Sequence, residues 1–298
     1  MNSELAAETI PLIDGLGALA GRYDAILCDI WGVLHNGRES FRPASDALVA
    51  FRRQGGSVIL VSNAPRPNTP IREQVLALGV APDAFDAIVT SGDVTIGLIA
   101  ERGDAPVHHI GPERDLSLFE AAAARTGARP RLVGPEAASY VLCTGLFNDE
   151  RETPADYAGR LAALAARRLP FVCANPDLVV HRGAVVIYCA GALAEAYEAI
   201  GGQAIYAGKP HAPIYEAALA RIAAVRGGRI ERARVLAIGD ALRTDLAGAA
   251  AMGLDALFVA DGIHRDELDG PGAAPGALER LFAPPAPRPI AAIRALAP

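Results

Sequence analysis

The chain has 298 residues, of which 51% are hydrophobic and 21% charged, with a formal net charge of −6. This composition excludes a disordered chain, because the apolar content is too high, and its acidic balance excludes the basic surface that nucleic-acid binding requires. Mean hydropathy is +0.23, but the longest apolar run, Ala184 to Ala194, is shorter than the ~20 residues of a bilayer span. We therefore predict neither a nucleic-acid nor a membrane partner.

The first part of the chain alternates short apolar runs with helical patterns. This alternation is typical of a parallel sheet covered by helices, and the length allows one large domain or two ordinary ones. The predicted elements are strand Ala25–Cys28, helix Ala44–Arg53, strand Val58–Val61, helix Pro70–Leu78 and strand Ala87–Val89.

The same alternation returns in the last third of the chain. The predicted elements there are strand Ala204–Tyr206, helix Pro213–Arg226, strand Val235–Ile238, helix Thr244–Met252 and strand Ala256–Val259. Beyond Asp269 the sequence is rich in Pro, Gly and Ala. We predict a loosely packed extension there, with one short helix near Ile290–Leu296.

A stretch with its own strands and helix separates these two parts. Its predicted elements are strand Val141–Cys143, helix Pro154–Arg168, strand Phe171–Cys173 and strand Val185–Tyr188. It is long enough to be a small domain inserted into the first. We predict an α/β fold with a Rossmann-like core at residues 1–97 and 203–298 and an inserted α/β cap at residues 98–202.

Polar side chains follow the predicted strands at the points where they end. They are Asp29, Ser62 with Asn63, Lys209 after its turn, and Asp240, with Asp245 at the start of the next helix. Ligands of an open parallel sheet gather at the carboxyl ends of its strands, so we expect these groups to meet in one crevice. The set suits phosphoryl transfer: carboxylates bind Mg²⁺, one carboxylate attacks phosphorus, and lysine and hydroxyl groups hold the phosphate oxygens.

Lys209 is the only lysine among 28 basic residues. Arginine replaces lysine at little cost on most surfaces, but it does not replace a compact ammonium on a straight stem. The survival of one lysine, in a Gly-Lys-Pro turn after an apolar run, indicates a functional position.

Four segments resemble the motifs of the haloacid dehalogenase (HAD) superfamily in the superfamily's order. The first runs from Asp29-Ile30-Trp31 to Asn36-Gly37, the second is Val61-Ser62-Asn63, the third is Gly208-Lys209-Pro210-His211, and the fourth runs from Gly239-Asp240 to Thr244-Asp245. Cys173-Ala174-Asn175-Pro176-Asp177 is similar to a cap segment of class IIA, the group with nitrophenyl-, sugar- and pyridoxal-phosphate phosphatases. The resemblance implies the same capped fold, with the cap inserted between the second and third motifs.

The resemblance also implies roles for individual residues. Asp29 would be the nucleophile and a metal ligand, with the Trp31 backbone carbonyl, Asp240 and Asp245 completing the Mg²⁺ site. Lys209 would be catalytic and, with Ser62 and Asn63, would bind the phosphate, while Asn175 and Asp177 of the cap would face the substrate.

Trp31 is a departure from the superfamily's pattern. Phosphatases of this superfamily usually carry a second aspartate at that position, two residues after the nucleophile, to protonate the leaving group. Indole cannot act as an acid, and general acid catalysis is typically worth about 10²–10⁴-fold. His35, in the same loop, is a candidate substitute, although a packing or solvated histidine is the more common role for such a residue.

We therefore predict an Mg²⁺-dependent hydrolase that acts on a small phosphorylated metabolite. The alternative is a phosphate-binding regulatory protein that kept the pocket but lost turnover. A receiver domain has its acidic residues in another order and lacks a cap, and a dehalogenase fits the paired late acids less well. Glu4 and Glu8, in place of a basic signal region, and four cysteines in apolar runs favour a reducing, cytoplasmic location, and a homodimer is compatible with the class.

Overall fold

The computed structural model describes residues 9–182, 185–270 and 276–298, so Glu4, Glu8 and Ala184 lie outside the described residues. Its strands are β1 (Leu12–Ile13), β2 (Ala25–Cys28), β3 (Ser57–Ser62), β4 (Ala87–Thr90), β5 (Val107–Ile110), β6 (Tyr140–Cys143), β7 (Pro170–Cys173), β8 (Val179–Arg182), β9 (Val185–Tyr188), β10 (Gln203–Tyr206), β11 (Val235–Gly239), β12 (Asp255–Val259) and β13 (Ala291–Ile293).

Helices occupy most of the connections between these strands. They are α1 (Gly17–Ala20), α2 (Arg42–Arg53), α3 (Asn68–Ala77), α4 (Ser91–Glu101), α5 (Ser117–Thr126), α6 (Ala158–Ala166), α7 (Ala190–Ala199), α8 (Ala212–Arg226), α9 (Ala247–Met252), α10 (Arg265–Asp269) and α11 (Ala277–Leu281). A π-helical turn, Leu242–Leu246, precedes α9.

The strands form two parallel sheets and one hairpin. The larger sheet has seven strands in the order β1-β13-β12-β11-β2-β3-β4, and the smaller has four in the order β10-β7-β6-β5. All their neighbouring strands are parallel, whereas β8 and β9 pair antiparallel. The predicted α/β fold with a Rossmann-like core and an inserted α/β cap is confirmed.

Helices on both faces explain why the inner positions of the central strands are apolar and why β2 is apolar throughout. In β2, Ile26 and Cys28 pack into the core on one side of the seven-stranded sheet, while Ala25 and Leu27 pack into the core on the other. A sheet buried on both faces has no solvent side and needs no polar alternation. The polar residues that follow such strands are therefore conspicuous in the sequence.

The structure corrects the placement of the strand before Lys209. Ala204–Tyr206 is predicted in the core, but β10 pairs in parallel with β7 of the four-stranded sheet. Lys209 thus follows a strand of the smaller sheet. The division into residues 1–97, 98–202 and 203–298 stays a prediction, although the hydrogen bonds of β10 group this strand with the predicted cap.

The prediction of a helix near Ile290–Leu296 is wrong. Residues Ala291–Ile293 form β13, which is buried and lies between β12 and β1 of the larger sheet. The segment contains good helix formers, but pairing to a sheet that is open on that side overrides local propensity. The tail is also packed, because Phe282 is fully buried and meets the ring of Phe258 edge-on, with centroids 4.9 Å apart.

Two further observations concern membranes and redox state. Within the described ranges, no helix has the length and hydropathy needed to cross a bilayer. Cys28, Cys143, Cys173 and Cys189 are all free and buried, so they serve as small core side chains.

The packing of the tail gives a stability prediction. Phe282→Ala should lower the free energy of unfolding by about 3–5 kcal/mol, because it leaves a cavity against Phe258. Urea unfolding measures this loss. Val225→Ala, at a side chain 41% exposed, is the control and should change stability by less than about 0.5 kcal/mol. A loss of that small size for Phe282→Ala would mean that the tail is loosely packed after all.

Candidate active site

Three neighbouring strands of the larger sheet bring their following side chains to one edge. Asp29 comes directly after β2, Asp240 directly after β11, and Ser62 ends β3 with Asn63 next in the chain. The Asp29 backbone N–H donates to the Ile238 carbonyl at 2.8 Å, which continues the ladder between β2 and β11 up to the site. The predicted meeting of these residues at the carboxyl edge is therefore observed.

Lys209 reaches this edge from the smaller sheet because Asn63 holds its backbone. The Lys209 N–H donates to Asn63 Oδ1 at 2.7 Å, and Asn63 Nδ2 donates to the Lys209 carbonyl at 3.1 Å. Gly208 permits this approach, since a Cβ there would lie 2.3 Å from Asn63 Oδ1. Asn63 thus positions the lysine loop, and its predicted contact with phosphate stays a prediction.

The Lys209 ammonium lies between two carboxylates. Its Nζ is 2.7 Å from Asp29 Oδ1 and 2.7 Å from Asp245 Oδ1, and all three side chains are nearly excluded from solvent. The Ile30 N–H donates to the same Asp29 oxygen at 2.7 Å. Asp245 stands on the π-helical turn before α9, and its other oxygen accepts from the Ala241 N–H at 3.2 Å.

Asp240 completes a cluster of three carboxylates. One oxygen from each of Asp29, Asp240 and Asp245 lies within 4.8 Å of the others. Asp240 Oδ2 accepts from the Ile263 N–H at 2.8 Å. The loop after Asp29 passes so close that a Cβ at Gly32, where φ is +81°, would lie 2.0 Å from Asp240 Oδ2. Only glycine fits that position without strain.

The charges of the cluster do not balance. Burial, followed by repulsion from Asp29, raises the pKa of Asp245 to about 6. Burial, followed by repulsion from Asp29 and Asp245, also raises the pKa of Asp240. Burial alone would lower the pKa of Lys209, but Asp245 and Asp29 raise it well above its usual value. Three carboxylates facing one ammonium leave an excess of negative charge that a divalent cation with oxygen ligands would neutralise, so the donor set fits such an ion.

Trp31 lies beside these acids, with its ring held by the loop that follows. The ring meets His35 edge-on at a centroid distance of 5.1 Å, and a Cβ at Gly37 would lie 2.5 Å from it. The Gly37 N–H donates to His35 Nδ1 at 3.1 Å, and burial lowers the pKa of His35 to about 4. His35 is therefore a neutral packing residue at pH 7, and the proposal that it supplies a proton is not supported.

Two cavities open in front of the acids. A cavity of about 480 Å³ is lined by Asp29, Ser62, Lys209 and Asp240 among others, and one of about 490 Å³ lies beyond Trp31. The predicted substrate residues divide between them: Asn175 lines only the second, whereas Asp177 lines both. Asp245 lines neither and contacts Lys209 instead.

The second cavity contains groups that the motifs do not mark. Asp115 is 2% exposed and pairs with the Thr144 hydroxyl, and Arg66 faces it from the loop after Asn63. Ile263, whose N–H donates to Asp240, also lies outside the four motifs. The Asp261-Gly262 turn after β12 is a sequence signal that could have pointed to Ile263, but nothing in the sequence links Asp115 to Arg66.

Comparisons with known proteins agree with this geometry. The profile described as haloacid dehalogenase-like hydrolase matches residues 26–125, and a second HAD-like hydrolase profile matches residues 206–278. A solved hydrolase of the haloacid dehalogenase-like family from Brucella suis 1330 is 46% identical, with 96% of this chain and 100% of that chain covered and a TM-score of 0.84. The chain is a haloacid dehalogenase-like hydrolase.

More distant members of the family have names that state a substrate. Ribonucleotide monophosphatase NagD of Escherichia coli K12 is 25% identical over 249 residues, which cover 82% of this chain and 90% of that protein. A glycerol phosphate phosphatase from Mycobacterium tuberculosis, solved in complex with calcium, is 25% identical with a TM-score of 0.61, covering 84% of this chain and 70% of that one. The predicted superfamily resemblance is confirmed.

The buried acid of the second cavity gives a pH prediction for this hydrolase. Burial raises the pKa of Asp115 to about 6 from an ordinary 3.8, so the wild-type protein loses folding free energy as the pH rises through this range, where the unfolded chain ionises before the folded one. Asp115→Asn carries no charge to bury. Its stability relative to wild type should therefore rise between pH 4.5 and 7, by on the order of 2 kcal/mol.

Urea unfolding of both proteins across this pH range measures the difference. Glu113→Gln, at an exposed carboxyl two residues away, is the matched control and should show no such trend. A difference between Asp115→Asn and wild type that does not vary with pH would contradict the raised pKa.

Proposed function

We propose that this hydrolase is an Mg²⁺-dependent phosphatase that acts on a small phosphorylated metabolite through an aspartyl-phosphate on Asp29. The observation that carries the proposal is the position of Lys209, 2.7 Å from Asp29 in a buried cluster of three carboxylates. An ammonium, a nucleophilic carboxylate and oxygen ligands for a hard cation are the groups that phosphoryl transfer requires.

Asp29, Asp240, Asp245 and the Trp31 backbone carbonyl would hold the metal. When bound, Mg²⁺ supplies positive charge that neutralises phosphate oxygens as charge develops on them. Asp240 is oriented for this task by the Ile263 N–H, and Asp245 by the Ala241 N–H. The excess negative charge of the acids favours a divalent ion over a second buried ammonium.

Asp29 is oriented for attack by two donors on one oxygen. The Lys209 ammonium and the Ile30 N–H both hold Oδ1, so that Oδ2 is the oxygen available to attack phosphorus. Fixed orientation of a nucleophile removes much of the entropic cost of the reaction. Lys209 and Ser62, which line the same cavity as Asp29, would bind the phosphate oxygens.

The second cavity would receive the rest of the substrate. It lies beyond Trp31 and contains Asn175 with Arg66 and Asp115, so it offers both charged and amide groups to a small polar metabolite. We propose a cytoplasmic location, which the free buried cysteines support. We also propose that the protein forms a homodimer.

A second candidate function is a phosphate-binding regulatory protein. Trp31 favours it, because indole occupies the position of the superfamily's usual proton donor. A phosphatase screen over a panel of phosphorylated metabolites, with Mg²⁺ and with EDTA, separates the two functions. Turnover that EDTA abolishes supports the phosphatase, whereas binding of phosphate without turnover of any substrate supports the regulatory protein.

Asp29→Asn should abolish turnover and leave the fold intact. The amide is nearly isosteric with the carboxylate, but it cannot attack phosphorus. Steady-state assays on the best substrate of the screen, with thermal unfolding as a check of folding, measure this effect. Asp104→Asn is the matched control, since Asp104 is exposed and lines neither cavity, so that it should be dispensable. Activity of Asp29→Asn within a few-fold of wild type would exclude Asp29 as the nucleophile.

Lys209→Arg should lower kcat/KM by about 10²-fold or more, the scale of losing one well-placed electrostatic group. The guanidinium keeps the charge, but its broad planar fork does not fit between Asp29 and Asp245, where the side chain is 4% exposed. The reverse exchange on the surface, Arg42→Lys, is the control because that side chain is 90% exposed. Normal kinetics for Lys209→Arg would show that the site requires only a positive charge.

A further inference from the structure

The proposed phosphatase lacks an obvious source for one proton. An alkoxide leaving group needs a proton as its bond to phosphorus breaks, and a positioned acid supplies it in most enzymes. The indole of Trp31 has no acidic proton to give, and His35 is buried with its Nδ1 accepting the Gly37 N–H. The donor must therefore come from another element.

The proton donor has to lie at the junction of the two cavities. With phosphorus against Asp29 in the first cavity and the leaving group in the second, the breaking bond crosses the boundary between them. Among the described residues, four line both cavities, namely Trp31, Ser62, Asp177 and Val180. Asp177 is the one member of this set whose side chain titrates as an acid.

The Asp177 carboxyl is fixed at this junction by its neighbours. Asn63 Nδ2 donates to Asp177 Oδ1 at 2.8 Å, and the Asp177 N–H donates to Asn175 Oδ1 at 3.1 Å. The loop rests on α7, where a Cβ at Gly191 would lie 2.2 Å from the Pro176 carbonyl oxygen. One carboxylate oxygen is thus engaged by Asn63, which holds the carboxyl at the junction.

We propose that Asp177, from the smaller sheet's side of the site, is the general acid and base of this hydrolase in place of the residue at Trp31. The inference rests on the proposed phosphatase activity and identifies its proton donor.

Asp177 would move one proton in each half of the reaction. Asp29 Oδ2 forms a bond to phosphorus, the bond from phosphorus to the leaving oxygen breaks, and the Asp177 proton moves to that oxygen to give an alcohol. Asp177 is then a carboxylate. In the second step the oxygen of a water molecule bonds to phosphorus while the bond from Asp29 Oδ2 to phosphorus breaks. Asp177 takes the proton of that water, so inorganic phosphate is released and both side chains are restored.

The electrostatics of the junction are consistent with a protonated Asp177 in the substrate complex. Burial raises the pKa of Asp177, while Lys209 and Asn63 oppose that rise. Asp177 in turn raises the pKa of Asp29, so the two carboxyls are close enough to repel. A phosphate group bound at Asp29 adds negative charge at the same place and so favours the protonated acid.

Asp177→Asn tests the assignment, because the amide keeps an oxygen that can accept from Asn63 Nδ2 but has no proton to transfer. Glycerol phosphate represents alkyl esters, and 4-nitrophenyl phosphate represents leaving groups that depart without a proton. We expect kcat to fall by about 10²–10⁴-fold on glycerol phosphate and by less than about tenfold on 4-nitrophenyl phosphate.

A series of substituted phenyl phosphates gives a second readout within the same variant. Loss of the acid should make log(kcat/KM) depend more steeply on the pKa of the leaving phenol than in wild type, which a purely structural defect would not do. Asp104→Asn, at an exposed carboxyl that lines neither cavity, should leave both the ratio and the slope unchanged.

The outcomes separate the two proposals. Equal losses on both substrates with an unchanged slope would overturn Asp177 as the acid and leave the phosphatase standing. Absence of wild-type turnover on every phosphate ester, with Mg²⁺ present, would overturn the phosphatase and the acid together. A variant whose turnover of glycerol phosphate is too slow to measure is still decided by the slope on phenyl phosphates.

Discussion

The buried ammonium of Lys209 is the contact on which the arrangement of the site depends. Asp29 and Asp245 come from different parts of the larger sheet, and without a cation between them their carboxylates would repel at short range in a poorly solvated place. Lys209 arrives from the opposite sheet and offsets that repulsion. The Asn63 amide holds Lys209 in this position because it forms hydrogen bonds with both the N–H and the carbonyl of the lysine backbone. The ion pairs of Lys209 therefore connect the smaller sheet to the larger one.

The central strands could be predicted from sequence because burial on both faces leaves them uniformly apolar. Strand β2 has the predicted bounds, Ala25–Cys28, and β3 and β11 differ by a residue at one or both ends. Strand β13 could not be predicted, since Ala291–Ile293 is too short to show a period and pairs with residues distant in sequence. Helix α4 was missed although Thr90 and Asp93 form a capping box at its start.

The acids of the site were predictable because the motif spacing places each after a strand or on the next turn. The sequence could not show in which direction each of these side chains points. Motif spacing does not set the direction of the Asn63 amide, which bonds to Lys209 and to Asp177, 146 and 114 residues away. Likewise, Asp245 is predicted on a helix but stands on a π-helical turn that tips it towards Lys209. Such contacts depend on how the two sheets meet.

Because the sequence has a single lysine, its burial gives the protein an unusual chemical property. Lys209 is 3% exposed, and its neighbouring carboxylates keep its amine protonated, so the amine is a poor nucleophile while the chain is folded. Reagents that acylate amines should therefore spare the Lys209 side chain of the folded protein. Unfolding exposes this amine, so an acyl group found on Lys209 by mass spectrometry would report loss of the native state at one defined atom.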